Sequence, residues 1–181
     1  MKNKLIMLSV LVIAAIAFSG CETANSPDNL GDSSYLEKGN AAYGPESVPM
    51  NSVLNQELAL ARASTAKYHN VQTALADGYV DINLYIPNMG WHYLNQSLAD
   101  EHFEVDKPEL LVYAEKPNGG LRLVAVEYAV PLSLSNTPPE GFTGDEDVWS
   151  ENVGAGLWTL HAWVWLHNPN GVFAPFNPNT P

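Results

Sequence analysis

An apolar run near the amino terminus ends just before the only cysteine of the chain. The run spans Leu5–Phe18 and follows two lysines, Lys2 and Lys4. It is short for a membrane span, which needs about 20 residues, and has the length of the apolar part of a secretory signal peptide, about 7–15 residues. The sequence therefore predicts that residues 1–20 are removed and take no part in the fold. With Cys21 as the sole cysteine, an internal disulfide framework and a cysteine-based zinc cluster are excluded.

The residues around this cysteine resemble the lipobox of bacterial lipoproteins. They read Phe18-Ser19-Gly20-Cys21, with phenylalanine at a position that more often holds leucine. In that family the signal peptide is cut before the cysteine, which is diacylated and holds the protein in a membrane. The resemblance implies lipidation of Cys21, a membrane partner through that anchor, and a place in the bacterial cell envelope facing the periplasm or the cell exterior.

The charge balance of the chain is acidic. There are 8 Lys and Arg against 20 Asp and Glu, a net charge of −12. Proteins that bind nucleic acids need a basic surface to neutralise phosphates, so that class of function is excluded.

The composition then separates a tether from a domain. Residues 21–50 are rich in Asn, Ser, Asp, Gly and Pro and poor in large apolar side chains. Such a segment cannot bury enough surface to offset the entropy of ordering, which predicts a flexible tether. Residues 51–181 remain as a single globular domain, long enough to bury a core of its own.

The pattern of this domain predicts an α+β fold, with one long N-terminal helix packed on a mostly antiparallel β-sheet. Apolar residues at three- and four-residue steps between Val53 and Ala76 predict the helix, and Gly78 is placed to close it in the left-handed conformation. Asn118-Gly119-Gly120 predicts a hairpin turn. The predicted strands are Tyr79–Tyr85, Glu109–Ala114, Leu121–Val130 and Leu157–Leu166.

Three residues carry metal-ligand chemistry. His92 follows a glycine turn, His161 lies in the middle of the last predicted strand, and Glu127 lies in an apolar strand. A lone carboxylate is costly to bury there unless it is paired, protonated or bound to a metal. Together they have the two-histidine, one-carboxylate composition that suits a single zinc or non-haem iron ion. The alternatives are a polar network in the core or, for Glu127, a carboxylate that points to solvent.

A set of aromatic residues predicts a ligand-binding wall beside these groups, since flat or sugar-like ligands use such surfaces. Strand alternation would place Trp163, Trp165 and His167 on the same face as His161. Six residues of strand span about 20 Å, so His161 and His167 cannot bind the same ion. The alternative for the aromatic residues is core packing. The candidate ligand-binding residues are Trp91, Tyr93, Trp163, Trp165 and His167.

Two blocks of the domain resemble a widespread group of small secreted or lipid-anchored proteins. The blocks are Met89-Gly90-x-His92-Tyr93 and His161-x-Trp163 with Asn168-Pro169-x-Gly171-x-Phe173. The resemblance covers residues 66–178 and implies one continuous domain. That group has no assigned activity, so no catalytic residue is carried over.

These observations predict a membrane-anchored domain that binds a small ligand or a metal in a pocket lined by histidine, glutamate and tryptophan. One alternative is an enzyme at the same place, with Glu127 or His161 as general base. The other is a structural lipoprotein whose aromatic face forms a homodimer interface.

Overall fold

The structure, a computed structural model, describes residues 50–181. The predicted signal peptide, the lipidation site at Cys21 and all but the last residue of the predicted tether lie outside the described residues. Within residues 50–181 no helix combines the length and the apolar character needed to cross a bilayer.

The described residues form one sheet of six strands with three helical segments, which confirms the α+β class with a mostly antiparallel sheet. The strand order is β1-β2-β3-β4-β6-β5, and each neighbouring pair is antiparallel. The helical segments are α1 (Met50–Thr65), a 3₁₀ segment (Ala66–His69) and α2 (Val71–Ala76). The strands are β1 (Val80–Ile86), β2 (Gly90–Leu94), β3 (Leu110–Glu115), β4 (Leu121–Pro131), β5 (Ser150–Asn152) and β6 (Leu157–Ala162).

The single long helix predicted over residues 53–76 is wrong, because the chain divides at Asn70. The backbone of Asn70 is extended, and its side chain accepts a hydrogen bond from the Gln72 N–H at 3.1 Å. Asparagine favours this capping role over a helix interior, so it starts a new helix. The break also changes the buried face: Ala74 is buried in α2, whereas Leu75, one of the apolar residues whose spacing predicts a single helix, is 42% exposed.

The predicted hairpin between the two central strands is confirmed. Lys116 and Gly120 close the turn with a hydrogen bond of 2.9 Å, and Gly119 and Gly120 both have positive φ. The predicted closing residue of the helical region is also confirmed, since Gly78 has a φ of 97°.

A bulge in β4 divides the apolar residues of that strand between the two faces of the sheet. Tyr113 pairs with Leu123 and Val112 with Ala125, which leaves Val124 as the extra residue. Leu123 consequently joins the core under α1 instead of the face that carries Glu127, contrary to the alternation expected for an unbroken strand.

Strand β6 ends four residues earlier than predicted. The Trp163 N–H donates to the Val172 carbonyl at 2.8 Å, and the Trp165 N–H donates to the carbonyl of the bulge residue Val124. The alternation of side chains between the two faces of the sheet therefore ends at Ala162. The two tryptophans lie in different apolar clusters: Trp163 packs with Val124 and its neighbours, and Trp165 packs against the core under α1.

The side chain of Glu109, just before β3, is buried and hydrogen-bonded to the backbone of β4. Its Oε2 accepts a hydrogen bond from the Ala129 N–H at 2.9 Å, taking the place of a strand partner where β3 has not yet begun. Burial raises the pKa of Glu109 from 4.5 to about 7, and the nearby Asp100 and Glu104 raise it further while the Ala129 N–H opposes the shift.

Glu109→Gln is expected to flatten the pH dependence of stability. Between about pH 4.5 and pH 7 the folded chain keeps a proton on Glu109 that the unfolded chain has released. The free energy of unfolding therefore falls as pH rises through this window, by about 3 kcal/mol for this group. Urea unfolding at pH 5 and pH 8 checks this, with the exposed Glu140→Gln as control. Equal falls in wild type and Glu109→Gln would contradict it.

Candidate metal centre

Three strands of the sheet, β2, β4 and β6, bring the predicted histidines and carboxylate together. Glu127 on β4 is directly opposite His161 on β6, and His92 extends from β2 on the other side of β3. All three side chains are on the sheet face opposite α1, since the residues that follow or precede them, such as Val126 and Leu160, pack in the core under that helix. All three are buried.

The ligand atoms of the three residues have the spacing of a metal site. They all lie within 4.8 Å of one another. His92 Nε2 is 3.6 Å from Glu127 Oε2, and His161 Nδ1 is 3.7 Å from Glu127 Oε1. Charge-assisted hydrogen bonds are about 2.7–2.9 Å long, so these groups are not hydrogen-bonded to one another. Two atoms bound to one zinc ion at about 2.0–2.2 Å in tetrahedral geometry lie about 3.3–3.6 Å apart.

The surroundings of His92 fix which nitrogen faces the carboxylate. Its Nδ1 lies 3.2 Å from the Leu84 carbonyl oxygen, and a carbonyl can only accept a hydrogen bond. Nδ1 therefore carries the proton, and the Nε2 lone pair points toward Glu127. A backbone carbonyl on the second imidazole nitrogen is a common support of metal-binding histidines. In His161 the other nitrogen, Nε2, is buried without a hydrogen-bond partner among the described residues.

Burial keeps all three groups in their uncharged forms at neutral pH when no cation is bound. It raises the pKa of Glu127 to about 8, a shift that the Thr159 side chain opposes and Glu109 adds to. Burial, with a smaller effect of His92, lowers the pKa of His161 to about 3. It also lowers the pKa of His92, against the hydrogen bond to Leu84. The close contacts of Glu127 with the histidines are therefore not ion pairs.

The three residues lie in the wall of a cavity of about 500 Å³. The two edge strands of the sheet, β1 and β5, both contribute to it, as do the loop after β5 and the C-terminal segment. Most of the other wall residues are aliphatic or aromatic. They include Ile82, Leu84, Val148, Val153, Leu157 and Phe176.

The aromatic residues predicted to line this site are elsewhere. Trp163 is buried, and its Nε1 donates to the Ala174 carbonyl, whereas the Nε1 of the half-buried Trp165 donates to Thr65 Oγ1. The Trp91 ring packs on Tyr85. None of the five residues named as ligand-binding candidates lines the cavity with the metal ligands. Tyr93 packs in the core, and His167 is exposed beside a separate groove.

The sequence patterns do not predict the apolar residues that line the cavity in place of the tryptophans. The alternation of Ile82 and Leu84 in β1 gave a signal, but it pointed only to a strand. Val148 and Val153 lie next to β5, a strand of three exposed residues with no apolar alternation. Their place at the cavity follows from the pairing of β5 with β6, which no local pattern encodes.

No protein-family model, no curated protein and no solved structure matches this chain. What the site can bind has to follow from its own geometry and chemistry.

Proposed function

We propose that the chain is a lipid-anchored protein of the bacterial envelope whose domain binds one transition-metal ion, zinc or iron, through His92, Glu127 and His161. The observation that carries the metal proposal is the convergence of three buried ligand atoms within 4.8 Å. The anchor at Cys21 and the membership in the group of small secreted proteins rest on the sequence motifs alone.

A metal explains this cluster better than a polar network does. In a network, buried polar groups hydrogen-bond one another, because an unsatisfied group costs about 1–3 kcal/mol. Here the carboxyl is 3.6 and 3.7 Å from the facing nitrogens of the two imidazoles, too far for a hydrogen bond to either. A cation between the three groups would satisfy the lone pairs that face one another and would favour the carboxylate form of Glu127.

An enzyme is the second candidate, and the cavity is the observation in its favour. Three protein ligands leave at least one coordination position free, which is the arrangement of catalytic zinc and non-haem iron sites. The free position would open into the cavity that the ligands line. The aromatic interface has no comparable support, because Trp163 and Trp165 make their polar contacts inside the chain.

Elemental analysis tests the metal proposal. The full chain, purified without an affinity tag or chelator, is expected to contain about one equivalent of zinc or iron, and His161→Ala is expected to contain less than about a tenth of that. His102→Ala is the matched control, since this histidine is exposed and away from the site. A metal content that does not differ between the His161→Ala and His102→Ala proteins would contradict the proposal.

A further inference from the structure

The cavity above the ligands is unusual in how much apolar surface it leaves open. Val148 and Val153 at its mouth are 71% and 73% exposed, and Phe176, Ile82 and Leu84 are also exposed. Scattered apolar residues are normal at a protein surface, but a contiguous set around a cavity marks a binding site. Its volume is within the range of small-molecule sites, about 300–1,000 Å³.

The charges of the wall select against anionic groups on the part of a ligand that lies away from the metal ligands. Among residues 50–181, no lysine or arginine lines the cavity, and the one charged side chain at its mouth is the carboxylate of Glu151. The chain as a whole has a net charge of −12. A ligand with a carboxylate or phosphate on its apolar part would meet no compensating charge and would lose its hydration there.

The polar groups of the wall are few and grouped. His92, Glu127, His161 and Thr159 lie together where the sheet forms the wall, and Ser150 and Asn152 lie along β5. A ligand that fills the cavity therefore meets polar atoms near the metal ligands and along β5, and apolar side chains over the rest of the wall.

We infer that the cavity takes a neutral, apolar organic molecule that presents a single donor atom to the metal. The inference rests on the proposed metal function, because the donor atom needs the ion. It adds the ligand class: uncharged, mostly hydrocarbon, with one oxygen or nitrogen donor at one end.

The test compares imidazole with 4-phenylimidazole on the cobalt-loaded full chain. Both have the same donor nitrogen, and the shift of the cobalt visible bands reports coordination. Burial of the phenyl ring in the apolar wall is expected to strengthen binding by about 10- to 100-fold. The carboxylated analogue, 4-(imidazol-4-yl)benzoate, is expected to bind at least about tenfold more weakly than 4-phenylimidazole.

Two variants locate the effect. Val153→Asp places a charge in the wall and is expected to weaken 4-phenylimidazole by about tenfold more than it weakens imidazole. Leu134→Asp is the matched control, since Leu134 is 52% exposed and does not line the cavity. Both sites are exposed, so neither change disturbs the core.

The outcomes separate the inference from the proposed function. If cobalt binds and 4-phenylimidazole is no tighter than imidazole, the ligand class is wrong and the metal proposal stands. If 4-phenylimidazole is tighter but Val153→Asp and Leu134→Asp behave alike, the cavity is not its site and the inference fails. If cobalt does not bind, the proposed function fails first, and the inference falls with it.

Discussion

Zinc at a thousandfold excess over its dissociation constant is expected to raise the midpoint of thermal unfolding by about 10–20 °C. An ion that binds only the folded state at this excess adds about 4 kcal/mol to the free energy of unfolding. In a domain of about 130 residues each kcal/mol is worth roughly 3–5 °C. The ligands come from three strands, β2, β4 and β6, so the ion joins parts of the sheet that separate on unfolding.

Glu127→Gln is expected to remove most of this shift, leaving less than about 3 °C, because the amide fills the same space without a carboxylate charge for the ion. Differential scanning calorimetry with and without zinc checks both results. Glu140→Gln, at an exposed position, controls for weak binding by the acidic surface. A shift of equal size in the Glu127→Gln protein would mean that zinc binds elsewhere.

Gly90→Ala is expected to lower the free energy of unfolding by about 3–5 kcal/mol. Gly90 has a φ of 125°, which a side chain disfavours, and an added Cβ would collide with the carbonyl oxygen of Tyr113 on β3. Strained backbone alone costs about 1–3 kcal/mol, and a backbone collision adds to it because neither strand can give way. His92 is two residues away on the same strand, so zinc affinity is expected to fall at least about tenfold as well.

Gly119→Ala is the matched control for this variant. Gly119 has a φ of 82° and open space around the position of an added Cβ, so only the strain of about 1–2 kcal/mol applies. Urea unfolding of the two variants and a zinc competition titration check the prediction. Equal destabilisation of both variants would contradict the close approach of β2 and β3 at Gly90.

The parts of the fold that could be predicted are those encoded locally. The turn at Asn118-Gly119-Gly120 needs positive φ, which glycine supplies, and two apolar runs flank it, so the hairpin was visible in the sequence. The break at Asn70 was not, because an asparagine on the exposed side of a helical pattern is compatible with both a continuous helix and a new cap. The bulge at Val124 lies in an apolar run, and such a run does not indicate which face of the sheet each residue occupies.

The candidate site was predicted by chemistry and not by pattern. Glu127 and His161 stand out because burying a carboxyl or an imidazole in a strand costs free energy unless the group has a partner. This holds for any pairing register of the strands. Trp163 and Trp165 do not line this pocket, because the side-chain alternation of β6 ends at Ala162. The apolar wall near Val153 depends on the pairing of distant strands, which sequence spacing does not reveal.

X-ray absorption spectroscopy at the zinc edge of the zinc-loaded full chain reports the ligands of the proposed site. A site formed by His92, Glu127 and His161 predicts a first shell of nitrogen and oxygen atoms at about 2.0–2.2 Å, without sulfur, and outer-shell scattering from two imidazole rings. In His161→Ala the scattering from one ring should be lost. A first shell of oxygen atoms alone, with no imidazole scattering, would show that zinc is held by surface carboxylates and not by His92 and His161.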